Sequence, residues 1–379
     1  MKIVALYPEN FDRPGGLAAA MQLFRTHKDS LSRVFIQLRW YRQLGPQATC
    51  DLISSLQEIT ALENLTLNHL DLRSESTRSA LGGALRKWSH SLQNLHISYC
   101  IIDAQLIMDG ISPNPRSILA GDQLSSRNNS SLRFLSLVRL NLEKPHLLLL
   151  AETIKQHPHL RLLCLSGNDH LFVNHNYDDT TDRRVYHDPF LKALGASHQL
   201  RTLDLEDCGI DHVTATHLFQ QIEHMPYLQE LHLSLNPGFT IGGPWMESLP
   251  LITGLEYLRI SRPLVNGYLR PALSSSALEV ADRTLCQNTS ITYFIVSTEY
   301  FESLHKWQSR NEHFRQAKEL LSPSSLSKPS RSLWPTMLRK WQRTGYYQID
   351  CSVPYLFLRT TCDEWVAAGI RHTVSDTNP

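Results

Sequence analysis

The chain has 379 residues, of which 42% are hydrophobic and 19% charged, and its formal net charge is +1. This composition is typical of a folded globular protein, and the near-neutral charge excludes a global electrostatic attraction to nucleic acid. No stretch approaches the ~18 uncharged apolar residues of a membrane helix. The seven cysteines form no CxxC pair and the first residues contain no secretory signal. We therefore expect reduced thiols and a cytosolic working environment.

The first 30 residues contain no recognisable repeat. A Gly-Gly turn is followed by a short helical pattern from Leu17 to Phe24, and we interpret 1–30 as an N-terminal cap that covers the start of the core. A helical pattern then fits Cys50 to Ile59. Between the two lies a degenerate first repeat, with apolar residues at Leu31, Val34 and Ile36.

A short apolar motif then recurs along the chain, with spacings of three and two residues. The copies are separated by 27 to 40 residues, and three of the seven steps fall at 27 or 28. Repeats of this length indicate a stacked architecture in which each unit buries its apolar face against the next. The copies begin at Leu62, Leu92, Leu132, Leu160, Leu200, Leu228, Leu255 and Ile291.

Each copy combines a predicted strand with a following helix. The clearest helix is Val213 to His224, where Ala215, Leu218 and Ile222 form one apolar stripe. Neither element can bury its face alone, so the repeats are predicted to stack into a parallel-sheet solenoid. The turn after each strand leaves backbone groups inside the core, and a small or amide side chain there can bond them. That position holds Cys100, Asn168, Cys208 and Asn236.

The pattern LxxLxLxx(N/C)xL with one helix per repeat resembles the leucine-rich repeat family, and the shortest periods are similar to its ribonuclease-inhibitor-like subclass. The resemblance covers residues 31–297; the two 40-residue steps and Pro263 in the last turn position depart from it. It implies an α/β fold, a horseshoe solenoid with a parallel concave sheet and convex helices. It also implies that the concave sheet binds another protein.

These patterns divide the chain into three parts. An N-terminal cap occupies 1–30, a leucine-rich repeat domain of about eight to nine repeats occupies 31–297, and a C-terminal helical cap or module occupies 298–379. Residues 301–349 carry nine Lys or Arg against three Asp or Glu. Such a local excess is more typical of a solvated helical cap than of a binding surface.

Catalytic and cofactor motifs are missing from the sequence. It contains no GxxxxGK(S/T), GxGxxG, GxSxG or HExxH, and no cysteine is followed two residues later by aspartate, as in the ligase domains of some bacterial leucine-rich repeat proteins. We therefore predict no enzymatic activity and no cofactor. The insertion 171–188 is rich in His and Asp, but its spacing fits neither a zinc nor a calcium signature, so we expect no metal.

Residues between the inward-facing leucines must face the concave surface. The centre of that surface is acidic, and its C-terminal side becomes basic and aromatic, the side-chain types that favour protein contacts. The predicted partner-binding residues are His96, Phe134, Thr202, Asp204, Glu206, Glu230, His232, Tyr257, Arg259 and Tyr293.

The sequence thus predicts a protein-binding scaffold that is monomeric when free and binds neither nucleic acid nor membranes. Its irregular repeats and cap-like ends resemble secreted bacterial effectors, virulence proteins that reach a host cell without a classical signal peptide and engage a host protein. A eukaryotic cytosolic adaptor is the competing interpretation. In a second hypothesis, the repeats are a substrate-recognition arm and 298–379 is an enzymatic or membrane-targeting module.

Overall fold

The computed structural model describes residues 2–39, 44–111, 131–173, 183–260, 275–288, 290–296 and 311–312. The chain divides into two compact units, Met1–Phe301 and Glu302–Pro379. The elements described below all belong to the first unit. Apart from Asn311 and Glu312, the cap or module predicted for 298–379 lies outside the described residues.

A single sheet of ten parallel strands runs through the first unit, and the strand order follows the chain order. Each crossover therefore returns the chain to the same edge, one strand further along. The strands are β1 (Lys2–Leu6), β2 (Leu31–Gln37), β3 (Asn64–Asn68), β4 (Asn94–Ser98), β5 (Phe134–Val138), β6 (Leu162–Cys164), β7 (Thr202–Asp204), β8 (Glu230–His232), β9 (Tyr257–Ile260) and β10 (Tyr293–Val296).

Helices occupy the crossovers. A π-helical turn, Arg183–His187, leads into one of them, and a 3-10 helix, Pro244–Leu251, lies between β8 and β9. The α-helices are α1 (Pro8–Asp12), α2 (Gly16–His27), α3 (Pro46–Leu56), α4 (Glu75–Trp88), α5 (Ala104–Ile111), α6 (His146–Gln156), α7 (Asp188–Gly195), α8 (His212–Ile222) and α9 (Ser275–Gln287). One parallel sheet with a helix in nearly every crossover confirms the predicted α/β leucine-rich repeat solenoid.

The core lies between the sheet and the helices. Along β3 the burial alternates, with Leu65 and Leu67 buried and the residues on either side partly exposed. Strand pairing aligns the equivalent residues of successive repeats, so the buried leucines stack across the sheet. Burial of each such side chain contributes ~1.5–3 kcal/mol. The row through Leu65 continues with Leu95, Leu135, Leu163, Leu203, Leu231 and Leu258.

The sheet begins earlier than the repeat pattern. Residues 1–30, expected to contain no repeat, contribute β1, which pairs with β2 from Lys2 to Leu6. The segment KIVAL lacks the spacing of three and two residues, and it becomes a strand because Val4 and Leu6 continue the buried rows of β2.

The Asn and Cys side chains after the strands connect neighbouring repeats. Asn236 Oδ1 accepts hydrogen bonds from the backbone N–H groups of Cys208 (2.9 Å) and Ile210 (3.0 Å). Its Nδ2 donates to the carbonyls of Leu205 (2.7 Å) and Leu233 (3.0 Å). Asn168 makes the equivalent four bonds one repeat pair earlier. The predicted side-chain ladder is therefore present.

The two cysteines in the same position perform part of that task. The Cys100 thiol accepts from the N–H of Leu70 (3.4 Å) and donates to the carbonyl of Leu67 (3.5 Å). The Cys208 thiol donates to the carbonyl of Leu165 at 3.2 Å. Both thiols are free, and burial raises the pKa of Cys100 to about 12. These cysteines act as buried hydrogen-bonding groups of the solenoid.

A left-handed residue precedes this position in six successive repeats. Its φ lies between 51° and 74°, and only one of the six residues is glycine. Left-handed backbone costs a non-glycine residue roughly 1 kcal/mol, so the tight turn after each strand is held by the surrounding packing. The six residues are His69, Tyr99, Arg139, Gly167, Asp207 and Leu235.

We expect Asn236→Ala to lower the free energy of unfolding by on the order of 3 kcal/mol, because it leaves four buried backbone groups without their partner. Asn236→Cys should retain part of the loss, since a thiol can bond one carbonyl. The measurement is urea unfolding followed by circular dichroism. Asn94→Ala, on the exposed side of β4, is the control and should cost less than ~1 kcal/mol. Equal stability of Asn236→Ala and wild type would contradict the ladder's role.

His157 caps the end of α6 inside the core. Its backbone N–H donates to the carbonyls of Thr153 (3.1 Å) and Ile154 (3.2 Å), and the residue is 1% exposed. Burial lowers the pKa of the imidazole to about 4, although a hydrogen bond with the backbone of Ile111 opposes the shift. The folded protein therefore holds this ring neutral where an unfolded chain would protonate it.

Acid should therefore destabilise the protein through His157. The unfolded imidazole has a pKa near 6.5 and the folded one about 4, so the stability present above pH 6.5 falls as the pH drops towards 4. The contribution is at most about 3 kcal/mol. We expect His157→Gln to flatten the curve of unfolding free energy against pH over this range. The exposed neighbour His159→Gln should leave the curve unchanged; identical curves for His157→Gln and wild type would refute the assignment.

Candidate functional site

The face of the sheet turned away from the helices, here called the open face, is the surface that the sequence predicted to be concave. Two rows of side chains cross it, because every second residue of each strand points outward. Strand pairing sets both rows in register. The first row is Asn64, Asn94, Phe134, Leu162, Thr202, Glu230, Tyr257 and Tyr293, and the second is Thr66, His96, Ser136, Cys164, Asp204, His232 and Arg259.

Nine of the ten predicted partner-binding residues lie in these two rows. The tenth, Glu206, follows β7 at the edge of the same face. The strand register brings residues 28 or more positions apart in sequence side by side, as at Thr202 and Glu230. The sequence prediction omitted Leu162, which lies in the first row between Phe134 and Thr202.

Three rings form a contiguous group on β8, β9 and β10. The rings of His232 and Tyr257 lie 5.0 Å apart between centroids, and those of Tyr257 and Tyr293 lie 6.2 Å apart. Tyr293 is 59% exposed, whereas Tyr257 is half-buried. Tilted ring pairs at these distances hold one another in place. We call these three residues the ring cluster.

Charged groups surround the ring cluster. His232 Nε2 lies 3.9 Å from Glu230 Oε2, and Thr202 Oγ1 donates a hydrogen bond of 3.5 Å to the same oxygen. Arg259 Nη1 lies 3.6 Å from Glu206 Oε2. These pairs are partly exposed, so each stabilises the fold little and keeps its charge accessible to a partner.

A chain of hydrogen bonds crosses the centre of the second row. His96 Nδ1 and Ser136 Oγ lie 2.8 Å apart, Ser136 also bonds the Cys164 thiol, and that thiol donates to Asp204 Oδ2 at 3.3 Å. Asp204 Oδ1 in turn accepts from the N–H of Glu206 at 3.0 Å. Four strands therefore contribute one connected polar strip.

This strip contains the residue types of a catalytic triad, but its electrostatics oppose nucleophilic chemistry. Burial, and then the charge of Asp204, raise the pKa of the Cys164 thiol to about 11. Burial lowers the pKa of His96, so its ring is neutral at pH 7. A reactive cysteine needs a lowered pKa, and the carboxylate beside this thiol has the opposite effect. The strip can position side chains and bond a ligand.

The insertion considered for metal binding is only partly described. His175, Asp178, Asp179 and Asp182 lie outside the described residues. His187 is buried and packs edge-on against Phe172 with ring centroids 5.3 Å apart. Among the residues that the structure describes, no group of three or more His, Cys, Asp or Glu could hold a metal ion. In the same part of the chain, no helix is long and apolar enough to span a bilayer.

A row of arginines borders the open face and was not anticipated. Arg133, Arg161 and Arg201 each come immediately before a strand and are exposed. The N–H of Arg161 donates to the carbonyl of Arg133 at 2.7 Å, and the N–H of Arg201 to that of Arg161 at 2.8 Å. We call them the arginine row. The signal was present in the sequence, because each follows the first leucine of its repeat.

No family profile and no curated protein sequence matches this chain. Solved structures do show likeness, all at low identity. LegL7 from Legionella pneumophila, a leucine-rich repeat-containing protein, matches with 14% identity and a TM-score of 0.39, over 81% of this chain and 97% of its own. TLR13 in complex with ssRNA13 matches with 18% identity and a TM-score of 0.37, over 74% and 36%. Actin-binding site 2 of leiomodin-1 matches with 16% identity and a TM-score of 0.34, over 47% and 96%.

We expect Cys164 to be alkylated slowly at pH 8, because a pKa of about 11 leaves very little thiolate. Asp204→Asn removes the neighbouring negative charge and should increase the rate, while burial keeps it below that of an exposed thiol. The measurement is iodoacetamide labelling of the Cys164 peptide by mass spectrometry. Asp169→Asn, on the exposed surface, is the control. An unchanged rate in Asp204→Asn would show that the carboxylate does not act on the thiol.

Proposed function

We propose that this chain is a non-enzymatic scaffold that binds a partner protein through the open face of its leucine-rich repeat sheet. The proposal draws on a surface whose side chains are held in register by the strands, so little order must be gained on binding. The contact residues would be His96, Phe134, Thr202, Asp204, Glu206, Glu230, His232, Tyr257, Arg259 and Tyr293.

The ring cluster carries the proposal. Aromatic side chains and arginine dominate the energy of protein interfaces when a rim of polar residues shields them from water. Tyr293 leaves 59% of its surface uncovered while its ring packs on Tyr257. Such a side chain is already oriented and has apolar area left to bury. Glu230 and Arg259 beside it supply the polar rim.

The charge pattern would then select the partner. Asp204, Glu206 and Glu230 give the middle of the open face a negative potential, and Arg259 offsets it on the C-terminal side. Complementary charges steer encounter and reject partners of the same sign. A partner with basic groups facing β7 and apolar groups facing β9 and β10 fits this surface.

We extend the proposal to the protein's setting. The 27–28-residue steps and the one helix per repeat favour the ribonuclease-inhibitor-like subclass. The irregular steps and cap-like ends support a bacterial effector that engages a host protein, and a eukaryotic cytosolic adaptor remains the competing proposal. In both settings the free protein would be a monomer, without nucleic acid or membrane ligands.

The double variant Tyr257→Ala, Tyr293→Ala should lose at least tenfold in affinity for the partner captured by wild type from a eukaryotic cell lysate. The physical reason is the loss of two apolar contacts, each worth ~1–2 kcal/mol at an interface. The partner is identified by mass spectrometry, and its affinity for each purified variant is then measured by calorimetry.

Leu251→Ala is the matched control, because Leu251 is 62% exposed and lies in the 3-10 helix outside the sheet. Both variants must unfold at the wild-type temperature. A partner retained by the tyrosine variant, but lost when residues 298–379 are deleted, would move the function to the C-terminal module.

A further inference from the structure

The arginine row belongs to a longer line of equivalent residues at the edge where the strands begin. Backbone hydrogen bonds of 2.7–2.9 Å join each member to the next. Towards the N-terminus the line continues with Gln93 and then Glu63, and towards the C-terminus with Gln229 and then Glu256. Read across seven repeats, the line is Glu, Gln, Arg, Arg, Arg, Gln, Glu. Three positive charges are thus bracketed by a neutral and then a negative residue on each side.

The three arginines are unfavourable as they stand. Neighbouring strands lie about 4.8 Å apart, and like charges in directly opposite positions repel one another. In the described part of the chain, no ion pair or side-chain hydrogen bond involves Arg133, Arg161 or Arg201. An anion placed over the row would relieve this repulsion and bond three guanidinium groups that are already aligned.

We propose that the arginine row binds a short acidic segment of the partner protein, held in a helical conformation that presents three carboxylates on one side. The inference rests on the proposed protein-binding function and adds the chemistry of one part of the partner. The segment would lie along the strand-entry edge, next to the open face.

The size of the row favours a short ligand. Its outer arginines are separated by two strand spacings, roughly 10 Å. Glu63 and Glu256, two positions beyond the row at each end, would repel a polyanion that continued past it. Nucleic-acid surfaces instead need a long basic stripe, because binding grows with the number of phosphates neutralised. A folded protein segment with a few carboxylates matches the bracketed pattern.

The spacing favours a helix. Side chains at i and i+3 or i+4 of a helix lie about 5–6 Å apart, close to the strand spacing of about 4.8 Å. Same-side residues of an extended strand lie about 6.6 Å apart, so a third carboxylate would fall out of step. The chain's own residues 301–349 are a poor occupant, because they carry nine Lys or Arg against three Asp or Glu.

The direct test uses three fluorescein-labelled probes and anisotropy titrations with the full chain. One probe is a helical 16-residue peptide with Glu at i, i+4 and i+7 on one side, and the second has Gln at those positions. The third is a ten-nucleotide uridine RNA. We expect only the Glu peptide to bind, and its affinity to fall at least tenfold in Arg161→Glu and to be largely kept in Arg161→Lys.

Arg86→Glu, at an exposed position of α4, makes the same charge change away from the sheet edge and should bind the Glu peptide as wild type does. Equal binding of the Glu and Gln peptides, no binding of either peptide, or an Arg161→Glu variant that binds normally would overturn the proposal. RNA binding that exceeds that of the Glu peptide and disappears in Arg161→Glu would reassign the row to phosphate groups.

The two proposals can fail separately. The captured partner is also titrated with Arg161→Glu and with Tyr257→Ala, Tyr293→Ala. A partner weakened by both variants supports both proposals. A partner weakened by the tyrosine variant alone overturns the acidic-segment proposal and leaves the scaffold function standing. A partner weakened by Arg161→Glu alone retains the arginine row and removes the ring cluster from the interface.

Discussion

Backbone groups that turn inside the core of a solenoid have no water to bond, so each repeat must satisfy those of its neighbour. Asn236 does this with both ends of one amide, which joins two carbonyls to two N–H groups across adjacent repeats. Cys208 makes a weaker version with its thiol. Because these bonds form only within narrow limits of distance and angle, they fix how closely repeats stack and in which register. Every exposed residue of the sheet takes its position from that register.

Two surfaces of opposite charge follow from the same register. On the open face, the side chains around Glu230 are acidic and aromatic, whereas the edge where the strands begin carries the arginine row. The two come close at β7, where Arg201 and Thr202 are consecutive residues and Thr202 donates a hydrogen bond to Glu230. A partner that met both surfaces would need basic and acidic groups in a fixed order. Such a requirement sets the orientation of binding as well as its strength.

Much of the fold could be predicted because leucine spacing reports directly on burial. The buried rows, the helices between strands and the Asn or Cys ladder all follow from residue types at fixed positions. Strand β1 could not be predicted this way, since Val4 and Leu6 become core residues only by pairing with β2. The rows of the open face were predictable from alternation, but the contact between Cys164 and Asp204 depends on the χ angles of both side chains. The arginine row needs repeats aligned across unequal steps before its like charges become visible.

The unequal steps have a practical meaning. Asn94 pairs with Phe134, 40 residues later, in the same register in which Phe134 pairs with Leu162, 28 residues later. A longer connection between α5 and β5 therefore leaves both flanking strands in place, and the entropy cost of lengthening a loop grows only by about 0.6 kcal/mol per doubling. That connection is a natural place to splice in a fluorescent or affinity domain. A reporter inserted there would leave the side chains of the sheet undisturbed, so the protein could be followed in a cell while it holds its partner.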